Sequence, residues 1–308
     1  MIHTTTTKMR KSTLILWLYL LTFNSINAQS IDLLKQQIHK VLKNKKAHVG
    51  VAIEGVHPKD IVSINGDDHL PMQSVFKYHL ALAVLHQVDL GKFDLNESIS
   101  IDKKTIAKYN HLWSPLRKKY PNGAKVTLAE IIKYTVAWSD NIGCDLLFEL
   151  VGGLKAVENY LHKIGIKDIA IVHNEINMQA QWDRQFENWT TAKAANKTLK
   201  LFYKNANNLL SKKSYNFLLD VLKGTQTGKK SIRGFLPKDT IVAHKTGHSG
   251  KNKEGLTGAV NDIGIVFLPN GSHFYLSVLV SNSTEPDTTN QKIIAEIGKL
   301  AWDYFKNK

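Results

Sequence analysis

Alternating apolar and polar residues, the mark of a half-buried strand, are confined to the two ends of this 308-residue chain; the middle reads as helix. His48-Val49-Gly50-Val51-Ala52-Ile53 and Asp60-Ile61-Val62-Ser63-Ile64 are two short strands, closed by the turn signal Asn65-Gly66. Towards the other end Thr240 to Lys245 is a third strand. Asn261 to Phe267 then joins His273 to Val280 through Pro269-Asn270-Gly271, a hairpin signal. A helix over Ile31 to Leu42 precedes the first strands, and an amphipathic helix over Thr288 to Phe305 follows the last, with Ile293, Ile294, Ile297, Leu300, Ala301 and Tyr304 on one side. Between them lie helical segments Val75 to Leu90, Leu128 to Tyr134, Asn141 to Val151, Lys155 to Ile164, Ala192 to Tyr203 and Lys212 to Leu222. Strands at both ends of one chain imply a single sheet built from both termini around a helical insertion. The expected division is an α/β part from 29–72 and 223–308, with an all-helical part from 73–222.

The first residues stand apart. Lys8, Arg10 and Lys11 precede a short apolar run from Leu14 to Phe23, and Asn27-Ala28 before Gln29 marks a cleavage point, although Ile26 is bulky for its position. Residues 1–28 read as a secretory signal peptide, too short in its apolar run for a comfortable membrane span. No cysteine follows the run, which argues against a lipid anchor. The expected product is a soluble, exported protein with no membrane attachment after cleavage.

Formal net charge is +15, from 41 Lys and Arg against 26 Asp and Glu. The lysines are dispersed and no basic-aromatic stripe or zinc-finger spacing accompanies them, so nucleic acid is not an expected partner. The single cysteine, Cys144, can form neither an intrachain bridge nor a thiolate metal cage. His244 and His248 are four apart on a strand end, a poor zinc spacing; neither metal nor other cofactor is expected.

Three short motifs carry the chemistry. In Ser74-Val75-Phe76-Lys77 a hydroxyl and an ammonium stand one helical turn apart on one face. A serine hydroxyl is a weak nucleophile until a base or a charge stands beside it. Ser139-Asp140-Asn141 opens the helix from Asn141, where an ordinary helix cap is the simplest explanation. Lys245-Thr246-Gly247 ends a strand, with a cation and a hydroxyl suited to an anion and a glycine that permits close approach. Ser-x-x-Lys alone arises about once per 300 residues by chance; all three in this order arise by accident in well under about one chain in a hundred.

Together they are the signature shared by class A serine β-lactamases and penicillin-binding proteins. Along essentially its whole length after residue 28 the chain resembles a class A serine β-lactamase, most of all the extended-spectrum PER and VEB branch. Met72 to Lys77, His86 to Lys92, Ser139 to Gly153 and Ala243 to Gly247 carry the likeness. The resemblance implies a serine β-lactamase/penicillin-binding transpeptidase-like α/β (α+β) fold: an antiparallel five-stranded sheet flanked by helices, an all-helical subdomain, and the active site at their junction. It further implies a monomer acting in the periplasm on small β-lactams.

By the same resemblance Ser74 is the nucleophile, Lys77 its partner and Ser139 the proton relay to the leaving nitrogen. Glu175, in the long loop His173 to Asn188, falls where class A enzymes keep the base that activates water for deacylation. Asn141, Gln179, Lys245, Thr246 and Gly247 would contact substrate, Trp113 would wall the site, and the backbone N–H groups of Ser74 and His248 would form the oxyanion hole. The base for acylation is either Lys77 or Glu175 acting through water.

Several positions depart from the family pattern. Ile176 replaces a proline, so a cis bond is not expected there, and His173 and Asn188 replace an Arg–Asp pair that clamps the loop in many relatives. A rearranged loop and a roomier site are therefore expected. His248 stands where relatives carry Ser, Thr or Ala. An arginine used elsewhere as a second carboxylate anchor has no clear match; Arg233 or Lys230 are the substitutes. The alternatives are a D,D-peptidase of the penicillin-binding type and a β-lactam sensor that stays acylated. Glu175 argues against the former, and the lack of a later membrane segment against the latter.

Overall fold

The computed structural model describes residues 30–308; the expected signal peptide lies outside the described residues. Helix α1 (Ile31–Leu42) is capped by Ser30, whose side chain accepts the Leu33 N–H, and leads into strands β1 (His48–Glu54) and β2 (Ile61–Ile64). A short strand β3 (Leu70–Pro71) and a 3₁₀ turn (Gln73–Val75) deliver the chain to α2 (Phe76–Asp89). There follow β4 (Ser98–Ile101), α3 (Lys103–Lys108), α4 (Pro115–Lys119), β5 (Ala124–Thr127), α5 (Leu128–Ala137), α6 (Asn141–Leu150) and α7 (Leu154–Lys163). The loop region contributes α8 (Glu175–Ala180) and a 3₁₀ turn (Trp182–Phe186), then β6 (Trp189–Thr190), α9 (Ala192–Tyr203) and α10 (Lys212–Lys223). The chain closes with β7 (Val242–His248), β8 (Thr257–Phe267), β9 (His273–Ser283) and α11 (Asp287–Phe305).

The five long strands form one antiparallel sheet in the order β2-β1-β9-β8-β7, so strands from both ends of the chain pair at β1 and β9. Alternation along each strand sends successive side chains to opposite faces. Phe274, Leu276, Val278 and Val280 of β9 join Val49, Val51 and Ile53 of β1 against α1 and α11, while Tyr275 and Leu279 face the helical block. Two apolar cores result, one on each face of the sheet. Every residue of α2 from Phe76 to Leu85 is buried, which makes it the central helix of the block.

Three features differ from the sequence expectation. The 73–222 segment holds, besides its helices, the ladder β4–β5 and strand β6, which pairs with β3. Strand β6 has only two residues, and β4 and β5, though they alternate, are four-residue pieces set among helical segments. Strand β7 runs on through the Lys-Thr-Gly motif to His248, because Gly247 still pairs with Asn261 and His248 with Val260. The stretch from His173 to Asn188 contains α8, whose cap is the Asn174 side chain accepting the Asn177 N–H; six residues carry no helical period of their own.

Candidate active site

Ser74 stands in the 3₁₀ turn that opens α2, and Lys77 follows one turn later with its side chain fully buried. Lys77 Nζ lies 2.9 Å from Ser74 Oγ, 2.8 Å from Glu175 Oε1, 2.9 Å from the Ser139 carbonyl and 2.5 Å from Asn141 Oδ1. Its neighbours are thus oxygen atoms that accept, the surroundings an ammonium requires. Ser74 Oγ also donates to Glu175 Oε1 over 3.4 Å.

Backbone strain marks the two turns that bring these groups together. Gln73 has φ +46° and Ser139 φ +61°, left-handed values that non-glycine residues rarely adopt. At Ser139 the turn sends the carbonyl to Lys77 and the hydroxyl to Lys245, whose Nζ donates to Ser139 Oγ at 2.9 Å. Asp140 fixes the same turn from below. It accepts the Gly143 N–H at 2.8 Å as the cap of α6, and also the Ser114 hydroxyl and the Leu116 N–H, both at 2.7 Å. Burial raises its pKa.

Glu175 is buried at the start of α8 and is held by its main chain. Its N–H donates to Asp145 Oδ1 at 2.7 Å, and the next N–H, of Ile176, to Asp145 Oδ2 at 3.2 Å. Burial first, and then the charge of Glu175, push the Asp145 carboxyl up to about 6. Gln179 Nε2 reaches Glu175 Oε2 at 3.5 Å from one turn on. The neck of the loop is closed by the Asn188 amide, which accepts from the N–H groups of Val172 at 2.7 Å and His173 at 2.8 Å and donates to the His173 carbonyl at 2.7 Å. His173 Nε2 itself lies 3.1 Å from Glu187. One neutral amide thus ties both ends of the loop. No peptide bond among the described residues is cis, that after Glu175 included.

Strand β7 forms the other wall and is the edge of the sheet. Gly247 is required there: a Cβ on it would stand 2.4 Å from the Met72 carbonyl and 3.3 Å from Ser74 N. Because the Ser249 N–H bonds to the Ala259 carbonyl, ladder alternation turns the His248 N–H away from β8, out of the free edge. Lys245 is buried, and burial first, then the nearby Lys77 charge, hold its ammonium well below the usual lysine range; Asp262 and Glu175 offset part of this. Thr246 shares a 2.6 Å hydroxyl contact with Thr227.

These walls enclose a cleft of about 670 Å³. Ser74, Ser139, Glu175, Asn141, Gln179, Thr246, Gly247, His248 and Trp113 all line it; Lys77 and Lys245 lie just beneath, reaching it through Ser74 and Ser139. Trp113 is 54% exposed, with Nε1 anchored on the Trp138 carbonyl, so it is a rim residue and not a core one. Lys230 reaches the cleft, whereas Arg233 turns a guanidinium nitrogen to the Thr225 carbonyl. His111, Leu112, Lys229 and Gln291 also line the cleft and carry no motif by which sequence could have found them. Asp145 was likewise invisible, an acid inside an apolar helix.

A hydroxyl paired with a buried ammonium, a carboxylate across the cleft and a cationic edge strand define a serine acyl-transfer enzyme of the penicillin-recognising class. Comparison with known proteins narrows it. Residues 33–305 match the model of the β-lactamase enzyme family. The chain is 45% identical over 282 residues to β-lactamase VEB-1 of Pseudomonas aeruginosa, covering 92% of this chain and 93% of that one. It is 42% identical over 294 residues to the extended-spectrum β-lactamase PER-1 of the same organism, covering 94% of each. Among solved structures, the TLA-3 extended-spectrum β-lactamase superposes with a TM-score of 0.87 at 48% identity, over 90% of this chain and all of that one. The chain belongs to the β-lactamase enzyme family and is a class A serine β-lactamase, an enzyme that opens the β-lactam amide bond and so confers resistance.

Proposed function

We propose that Ser74 is acylated by the lactam carbonyl and that Glu175 serves as base in both half-reactions. The observation that carries this is the set of oxygen acceptors around Lys77 Nζ. An ammonium so surrounded has no lone pair for the Ser74 proton, so the proton passes to Glu175 while Lys77 stabilises the forming alkoxide. The carbonyl oxygen then sits between the N–H groups of Ser74 and His248, which meet its developing charge without reorganising. Ser139 gives its hydroxyl proton to the departing nitrogen and is reprotonated by Lys245, while Glu175 releases the proton it took from Ser74 to cleft water, which restores Lys245; one proton in all has moved from Ser74 to the nitrogen, and Glu175 is a carboxylate again. The substrate carboxylate is held by Lys245, Thr246 and Ser139, and Asn141 meets the amide side chain. Glu175, steadied by Gln179, then draws a proton from water attacking the ester. No metal or organic cofactor takes part in this cycle. The experiment is time-resolved mass spectrometry of Glu175→Gln mixed with a β-lactam: an adduct on Ser74 that forms more slowly than in the parent and then persists supports both roles, an adduct formed at the parental rate removes the acylation role, and continuing turnover removes both.

The substrate class we propose is bulky oxyimino-cephalosporins. A second cavity of about 720 Å³, lined by Gln73, Trp182, Gln185 and Leu256 among others, lies between the Glu175 loop and the β7–β8 connection. It shares Gln179 and Ser249 with the main cleft, giving space for a large acyl side chain. The names of PER-1 and TLA-3, both extended-spectrum, support the same reading. Turnover of small penicillins with none of an oxyimino-cephalosporin would remove it. We also propose export to the periplasm by residues 1–28, tested by whether the mature protein begins at Gln29. No described helix is long and apolar enough to cross a membrane.

A further inference from the structure

The rim of the cleft facing α11 is fastened by side chains that have no part in the cycle above. His248 Nε2 lies 2.6 Å from Asp287 Oδ1, in the first turn of α11, and the Gly250 N–H donates to His248 Nδ1 at 3.0 Å. With Nδ1 accepting from Gly250, Nε2 is the ring nitrogen that donates to the carboxylate. The other oxygen, Oδ2, takes a hydrogen bond from Gln291 one turn along α11, which keeps Oδ1 aimed at the ring.

This bridge closes on the end of the sheet's edge strand. Regular pairing of β7 with β8 ends at His248. Beyond it the Ala259 N–H is taken by the Ser249 hydroxyl, and that hydroxyl donates to the Gly250 carbonyl. The end of β7 is therefore held to β8 by the Ser249 N–H and hydroxyl on one side, while its other side is the open edge. His248, the last residue of β7, directs its own N–H away from β8, so that N–H takes no part in the pairing that secures the strand. His248, Gly250 and Gln291 line that cleft, and Asp287 does not.

We infer that Asp287 is a positioning residue: by holding the His248 imidazole against α11, it sets the His248 backbone N–H at a fixed place relative to Ser74. The inference rests on the oxyanion reading given under Proposed function. Asp287 does not itself line the cleft, and the role inferred for it runs through His248, so its loss slows the chemical steps more than it weakens binding.

The test is steady-state kinetics on a chromogenic cephalosporin with Asp287→Ala, Asp287→Asn, His248→Ala and the double alanine variant, each checked for an unchanged melting temperature. Asp287→Ala is expected to lower kcat about fivefold with KM within about twofold, the size expected for a lost hydrogen bond outside the reacting atoms. Asp287→Asn, whose Oδ1 still accepts the Nε2 proton, is expected within about twofold of the parent, and Asp287→Ala should add nothing once His248 is alanine. Parental kcat in Asp287→Ala, an Asn variant as slow as the alanine one, or additive losses in the double variant would each overturn the inference. Ser74→Ala runs alongside. Turnover by that variant overturns the acyl-enzyme reading itself, whereas its silence beside an unaffected Asp287→Ala overturns only the role of Asp287.

Discussion

Asp145 holds Glu175 by the main chain, accepting its N–H at 2.7 Å and leaving the glutamate side chain free for Lys77 and Ser74. The Glu175 carboxylate is thereby aimed from α6, the same helix whose first residue, Asn141, contacts Lys77. One helix thus contacts both Lys77 and the backbone of Glu175.

That arrangement has a pH signature. The Asp145 carboxyl sits at about 6, above the ordinary 3.8, because ionising it is costly in a buried site beside Glu175. The folded state therefore binds this proton more tightly than the unfolded chain. Its contribution to stability is full below the ordinary value and is lost as pH rises through about 6. Urea unfolding across that window should show stability falling as pH rises, and Asp145→Asn should remove this component. Asp145→Ala strands the N–H groups of Glu175 and Ile176 and the Tyr109 hydroxyl, and should cost about 2–4 kcal/mol.

Removal of the Asn188 amide should open the loop it closes. Asn188→Ala leaves the Val172 and His173 N–H groups and the His173 carbonyl without their partner. A stability loss of about 2–3 kcal/mol is expected, with deacylation slowed more than acylation. Pre-steady-state kinetics would show an acyl-enzyme accumulating in the variant; an unchanged ratio of the two rates would contradict this.

Gly247 has no tolerated substitute. Its missing Cβ is what lets β7 approach the Met72 carbonyl and Ser74, and alanine would push the strand outward. A displacement on the order of 1 Å at the nucleophile costs about 100-fold in rate, so Gly247→Ala should fall by at least that much in kcat/KM.

Lys245 gives the alkaline limb of activity. Burial and Lys77 lower its pKa, so raising the pH neutralises it earlier than an ordinary lysine and removes the charge proposed to hold the substrate carboxylate. KM should rise on the alkaline side, with kcat less affected. Asp262→Asn removes a charge that favours the ammonium and should bring the rise to lower pH; KM measured against pH in both proteins decides it.

What the sequence determined by itself was the order of the main elements and the family of the chain, with candidate reacting groups marked by its motifs. Period-two strands at both ends, helical periods between them and three spaced motifs are local properties, written in neighbouring residues. Only the tertiary structure decided how the groups meet. Ser139 reaches Lys245 over a separation of 106 residues, and Glu175 reaches Ser74 over 101. The supports were equally hidden: Asp145 in an apolar helix, Asn188 as the loop clamp, Asp287 behind His248. Each acts through a contact between elements remote in sequence, and single positions of that kind leave no periodic or spaced pattern to read. The roles of such residues follow from packing, because a polar side chain cut off from water must find its partner wherever the fold places one.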